Sequence, residues 1–274
     1  MSPSSYPQGE VLPPREGTDA YGAQGNVGPV ERTQSRGRNL LSAPATYILV
    51  GINVAVFVWM VLHGVSPKEP TTNQLLQYGA TNPDYILGGQ WWRLLTAIFV
   101  HVGLIHIATN MWCLWNLGLL GEPLLGPFGL AAVYVLTGVA GNLLSLAINV
   151  IFREHESVGA GASGAVFGIA GILIVLLSNH KLPIPWTELK RLRRSVMQFA
   201  GLNLVIGLAT VFTNIIRIDN FAHLGGFLSG LAMGVPLVPR MTSGRVRYLR
   251  RQKFTFAVST FLLALFGYWI SNLK

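Results

Sequence analysis

The chain has 274 residues, of which 51% are hydrophobic and only 11% charged. Soluble domains carry roughly 25% charged residues, so the composition excludes an ordinary water-soluble globular domain and points to a chain embedded in lipid. A single cysteine, Cys113, excludes an internal disulfide framework and a cysteine-built metal site. The formal net charge of +9 raises nucleic acid as a partner, a reading tested by where the basic residues fall.

Residues 1–45 are rich in Pro, Gly, Ser and Gln and hold no apolar stretch of the kind a secretory signal needs. They bury too little apolar surface to fold and are expected to form a disordered cytoplasmic tail. Seven apolar segments follow, at roughly 46–64, 101–120, 128–150, 163–178, 197–214, 221–239 and 254–271. Each approaches the ~20 residues that an α-helix needs to cross a bilayer. The predicted fold class is all-α, a polytopic membrane helix bundle. Between the first two spans, residues 65–100 retain apolar pieces and the sequence Trp91-Trp92-Arg93, a combination that favours the headgroup boundary. A structured loop in or on the outer leaflet is expected there, with an ordinary external loop as the alternative.

The basic residues set the orientation. With a cytoplasmic N-terminus and alternating spans, the cytoplasmic segments hold Arg15, Arg32, Arg36 and Arg38, then Lys181, Lys190, Arg191, Arg193 and Arg194, then Arg240, Arg245, Arg247, Arg250, Arg251 and Lys253. That is fifteen of the 20 Lys and Arg; Lys68, Arg93, Arg153, Arg217 and Lys274 fall outside. The bias predicts a cytoplasmic N-terminus and an external C-terminus. Membrane insertion accounts for the positive charge without a nucleic-acid partner.

Polar side chains inside spans are costly and usually functional. His101, His106 and Asn110 fall in the second span and His223 in the sixth. His106 and Asn110 are four residues apart and share one helix face, which favours a polar cavity over isolated structural hydrogen bonds. The fourth span opens Gly159-Ala160-Gly161-Ala162-Ser163-Gly164-Ala165-Val166-Phe167-Gly168. Glycines beside a serine leave its hydroxyl open and let the backbone approach a neighbour. A serine-capped helix with small neighbours would explain the same residues.

Length separates the two readings. From Ser163 to Leu177 a helix rises about 22 Å, short of the ~30 Å hydrocarbon core. The helix is therefore expected to begin below the membrane surface, with the preceding loop dipping in to meet it. Irregular backbone at that depth must be buried in protein or line a watery cavity. In the sixth span Gly226 and Gly230 form a small-xxx-small stripe, matched by Gly164 and Gly168 in the fourth. Such stripes bring helices close in lipid, and His223 lies three residues before Gly226 on the same face. If the stripes meet, Ser163 and His223 face each other; glycine packing alone would leave both side chains unexplained.

Trp92-Arg93, His101-x4-His106-x3-Asn110, Gly161-x-Ser163-Gly164, Ala222-His223-x2-Gly226-x3-Gly230 and Gly121-Glu122 together resemble the signature set of rhomboid intramembrane proteases. The resemblance covers about residues 46–239 and implies a six-helix catalytic core there, with a basic loop and a seventh transmembrane helix over 240–274. It implies cleavage of membrane-anchored protein substrates, with Ser163 as nucleophile, His223 as general base and no acidic third member. A serine needs a neighbouring base to become nucleophilic, and a histidine with its ordinary pKa of about 6.5 is mostly neutral at neutral pH. The Ser163 amide, the His106 ring and the Asn110 side chain are the expected oxyanion donors. Phe167 would brace His223, at a position where the family often has tyrosine. Gly161, Gly164, Gly226, Gly230 and His101 are expected to support the site rather than react.

No cofactor or metal is implied, and the bacterial inner membrane is the expected location. Three rival readings remain open: a catalytically silent relative that binds membrane proteins, a transporter, and a zinc enzyme using His101, His106 and His223. Retention of both serine and histidine argues against the first. The lack of internal repeats argues against the second, and the lack of an HExxH pattern against the third.

Overall fold

A computed structural model describes residues 43–180, 182, 184–211, 219–238 and 244–273, without the side chains of 204 and 206–211. The expected tail lies outside the described residues apart from its last three positions, and so do Lys181, Arg217, Arg240 and Lys274. Among the described residues the chain forms nine helices: α1 (Pro44–Leu62), α2 (Thr72–Gln77), α3 (Pro83–Leu87), α4 (Arg93–Thr96), α5 (Leu104–Phe152), α6 (Ser163–Leu176), α7 (Trp186–Val211), α8 (Asn220–Leu237) and α9 (Arg245–Ser271). Of these, α1, α5 and α9 are long and apolar enough to cross a membrane. The fold is an all-α polytopic bundle, as the apolar segments require.

Three boundaries differ from expectation. The first helix starts at Pro44, inside the predicted tail, because proline suits the first helical turn. The helices at the predicted fifth and seventh spans, α7 and α9, begin at Trp186 and Arg245, well before the apolar runs expected from 197 and 254. Hydropathy marks where lipid begins, whereas Leu, Lys and Arg are good helix formers on either side of that boundary. The second and third spans are two halves of α5, broken at Gly126, whose φ of 76° interrupts the helix between Pro123 and Pro127.

A break in a helix frees carbonyls that lipid cannot satisfy. Here α9 supplies the donors: the Tyr248 hydroxyl donates to the Leu124 carbonyl (3.1 Å) and the Gln252 amide to the Leu125 carbonyl (2.8 Å). Gln252 is 1% exposed, and the absence of a side chain on Gly129 leaves room for its amide. Helix α9 is thus clamped to α5 at the break.

At the start of α1 the Glu122 carboxylate accepts from the Ala45 and Thr46 amides (2.9 and 2.8 Å) and from the Thr46 hydroxyl (2.7 Å). These are orphan donors of a helix N-terminus, and a buried carboxylate beside them is favoured by the helix dipole. Residues 65–100 form a structured segment. Arg93, 6% exposed, donates to the Gln90 side chain (2.7 Å) and to the Leu76 and Ala80 carbonyls (2.7 and 2.9 Å), and its guanidinium lies over the Tyr85 and Trp92 rings. α2, α3 and α4 are thus pinned around one arginine.

The centre of the bundle is α6, which is buried continuously from Gly164 to Leu173 between α5 and α8. The predicted glycine stripes meet. A Cβ on Gly226 would collide with the Gly164 carbonyl, and one on Gly230 with the Gly168 carbonyl. On its other side, Gly168 makes room for Thr137 of α5. Overpacking a close contact costs typically 1–3 kcal/mol. Gly230→Val is expected to lose at least about that much, read as a lower melting temperature in detergent; an unchanged transition would contradict the packing. Gln252→Leu, which leaves the Leu125 carbonyl buried and unpaired, is expected to cost about 1–3 kcal/mol in the same assay.

Candidate active site

Ser163 is the first residue of α6, at the point where the loop after α5 becomes helix. That loop is pinned from several sides. Thr81 and Gly159 exchange two backbone hydrogen bonds (2.8 and 3.2 Å), and the Gly161 amide donates to the Ala97 carbonyl (2.9 Å). Gly161 has φ +132°, a conformation natural only to glycine. A Cβ there would lie 2.6 Å from the His106 ring, so the glycine is required both for the turn and for the histidine's approach.

His106 sits in the first turns of α5, over this loop. Its Nδ1 accepts from the Val102 amide (3.2 Å), so in the neutral ring the proton is on Nε2. The Nε2 side is the edge lying against Gly161, two residues before Ser163. Asn110, one turn on, is buried and donates one amide hydrogen to the His106 carbonyl (2.8 Å). His101 is fully buried. Its Nδ1 pairs with the Phe99 carbonyl (3.1 Å), and its Nε2 accepts from the Ala162 amide (3.5 Å). His101 therefore braces the residue that precedes the serine.

The partner helix is α8. His223 is buried at its first turn, with its ring stacked on Phe167 at 4.4 Å between centroids and 16° between planes. Phe167 is one helical turn after Ser163 and so fixes the imidazole relative to α6. The backbones flanking the two residues are also in contact: a Cβ on Gly164 would lie 3.2 Å from the Ala222 carbonyl. The His223 Nδ1 is buried and has no hydrogen-bond partner among the described residues. An apolar cleft of about 390 Å³ runs from His223 and Phe167 between α6, α7 and α8, past Met197, Gly201 and Phe227.

The structure thus gathers the predicted residues at one end of the α6–α8 contact: Ser163, Phe167 and His223 on one side, Gly161, His106, Asn110 and His101 around the loop. Among the described residues no three His, Cys, Asp or Glu side chains converge as a metal set. Sequence reasoning missed Asp219. It caps α8, accepting from the Ala222 amide (2.9 Å) and from the Ser145 hydroxyl. Its signal was an Asp immediately before a helical apolar run, but the carboxylate's link to α5 had none.

Fold and composition define a polytopic helical membrane protein whose α6 and α8 meet in direct backbone contact. The model of the Rhomboid domain matches residues 88–240, more than half of the chain. Rhomboid protease GluP of Bacillus subtilis (strain 168) is 33% identical over 196 residues, 70% of this chain and 35% of that protein. Rhomboid-like protease 2 of Toxoplasma gondii is 31% identical over 193 residues, 69% of this chain and 63% of that protein. Rhomboid protease AarA of Providencia stuartii is 28% identical over 216 residues, 75% of this chain and 76% of that protein. The chain belongs to the rhomboid family. It spans about a third to about half the length of several of the curated relatives it matches.

Gly161→Ala is expected to destabilise the protein by about 1–3 kcal/mol, from the positive φ and the His106 contact together. A thermal scan in detergent checks it; a melting temperature equal to that of the wild type would contradict the placement of His106.

Proposed function

We propose that the chain is an intramembrane serine endopeptidase that cleaves membrane-anchored proteins with a Ser163–His223 dyad. The observation that supports this reading is the Phe167–His223 stack beside the backbone contact of Gly164 with Ala222, which holds His223 against the helix that begins at Ser163. Relatives named as proteases support the same reading.

In this mechanism Ser163 Oγ attacks the carbonyl carbon of the scissile peptide as His223 takes its proton. The resulting oxyanion is received by the Ser163 amide, the His106 Nε2–H and the second amide hydrogen of Asn110. The first N–H groups of a helix have no acceptor within the helix and carry its positive dipole end, so the start of α6 suits a developing negative charge. His223 then gives its proton to the leaving amine, which departs and leaves an acyl-enzyme on Ser163. Water, deprotonated by His223, hydrolyses the ester and restores the serine. The cleft bordered by Met197, Gly201 and Phe227 would take apolar side chains of the substrate.

The catalytic core would be residues 46–239, with the basic segment and seventh helix over 240–274. The distribution of Lys and Arg supports a cytoplasmic N-terminus and an external C-terminus, and a bacterial inner membrane is the proposed setting.

The test is cleavage of a single-span reporter in proteoliposomes. Wild type is expected to cut it, Ser163→Ala and His223→Ala to be inactive, and His106→Ala to fall about 10²–10³-fold, all with near-normal folding. A folded wild type that cleaves none of a panel of reporters would favour a catalytically silent relative. Full activity in Ser163→Ala would overturn the dyad.

A further inference from the structure

The start of α8 and the loop before Ser163 converge on a single carboxylate that the dyad does not use. Asp219 Oδ1 accepts from the Ala222 amide (2.9 Å), and its backbone carbonyl accepts from the His223 amide (3.2 Å). Asp219 Oδ2 accepts the Ser145 hydroxyl proton from the second half of α5. From Ser145 the network continues along α5: the Asn149 amide donates to the Ser145 hydroxyl (3.5 Å) and to the Ser157 hydroxyl (3.1 Å). Ser157 belongs to the loop leading to the nucleophile, and its carbonyl accepts from Asn82 (3.3 Å). Gly159, in the same loop, abuts the carboxylate: a Cβ there would lie 3.5 Å from Asp219 Oδ2 and 2.6 Å from Thr81 Oγ1.

One continuous polar chain therefore connects the helix that carries His223 to the loop that carries Ser163, through α5 as the common support. Glycine contacts fix how close α6 and α8 come, but smooth small-residue surfaces resist sliding along the helix axis weakly. A capped terminus hydrogen-bonded to a third helix supplies that missing axial restraint. The carboxylate performs it with both oxygens, one on the α8 amide and one on Ser145.

We propose that Asp219 is a positioning residue for the reaction, fixing the height of His223 against Ser163 through Ser145. The proposal rests on the dyad reading. A misplacement of about 1 Å costs up to ~10²-fold in rate, so a lost restraint is visible in kinetics before it is visible in folding. The carboxylate never meets the substrate.

The test is the rate of Ser163 phosphonylation by a fluorophosphonate, measured against probe concentration in the intact, detergent-solubilised chain. Asp219→Ala is expected to lower the maximal inactivation rate about tenfold or more with little change in the half-saturating concentration. Ser145→Ala is expected to lower it severalfold. The double variant should be no slower than Asp219→Ala alone, because both act through one bond. Asp219→Asn should recover most of the rate, since its Oδ1 still caps α8 and its amide can donate to the Ser145 hydroxyl. Wild-type rates in both folded alanine variants would overturn the positioning role, as would additive losses in the double variant. If Asp219→Ala does not fold, Ser145→Ala with its split between rate and half-saturation decides. A wild type that takes up no probe would instead sink the dyad reading itself, so the two failures are distinguishable.

Discussion

The structure depends on the direct backbone contact between α6 and α8. Gly226 and Gly230 rest on the carbonyls of Gly164 and Gly168, at a separation that no residue with a side chain permits. In lipid there is no hydrophobic force to press two apolar helices together, so close packing and hydrogen bonds must do it. The four glycines make that approach possible, and the approach brings Phe167 against His223. The placing of the three side chains then follows from helix periodicity: His223 three residues before Gly226, Ser163 just before Gly164, and Phe167 one turn further on.

A second constraint is the shortness of α6, 14 residues beginning at Ser163. A helix of that length is shorter than a bilayer's hydrocarbon core, and irregular backbone within such a core survives only if protein satisfies it. The segment 65–100 meets this need. Arg93 organises α2–α4, and their backbone at Thr81 and Ala97 holds Gly159 and Gly161. The same rule operates at the far end of the bundle, where Tyr248 and Gln252 of α9 satisfy carbonyls freed by the break at Gly126. At both of these places a group from another segment, backbone or side chain, completes the hydrogen bonds.

Much of this is legible in the sequence. Apolar runs of span length gave the bundle, and the matched stripes at Gly164/Gly168 and Gly226/Gly230 gave the pairing of its central helices. The His106–Asn110 spacing correctly put two polar groups on one face. Hydropathy could not locate the true starts of α7 and α9, because helix formers continue past the apolar edge. Nor could it reveal that His101 braces Ala162, or that Asp219 reaches Ser145. Those contacts join residues 61 and 74 positions apart, and no local periodicity encodes them. Long-range hydrogen bonds to loops are set by tertiary folding, which composition and spacing do not record.

In the proposed mechanism the contact of α6 with α8 makes Ser163 a nucleophile through His223. Peptide mapping after exposure of the purified, folded protein to a fluorophosphonate tests it most directly. The expected result is a single phosphonylated residue, Ser163, with the adduct lost in His223→Ala although that variant remains folded. An adduct on any other residue, or one on Ser163 that persists undiminished without His223, would contradict the claim.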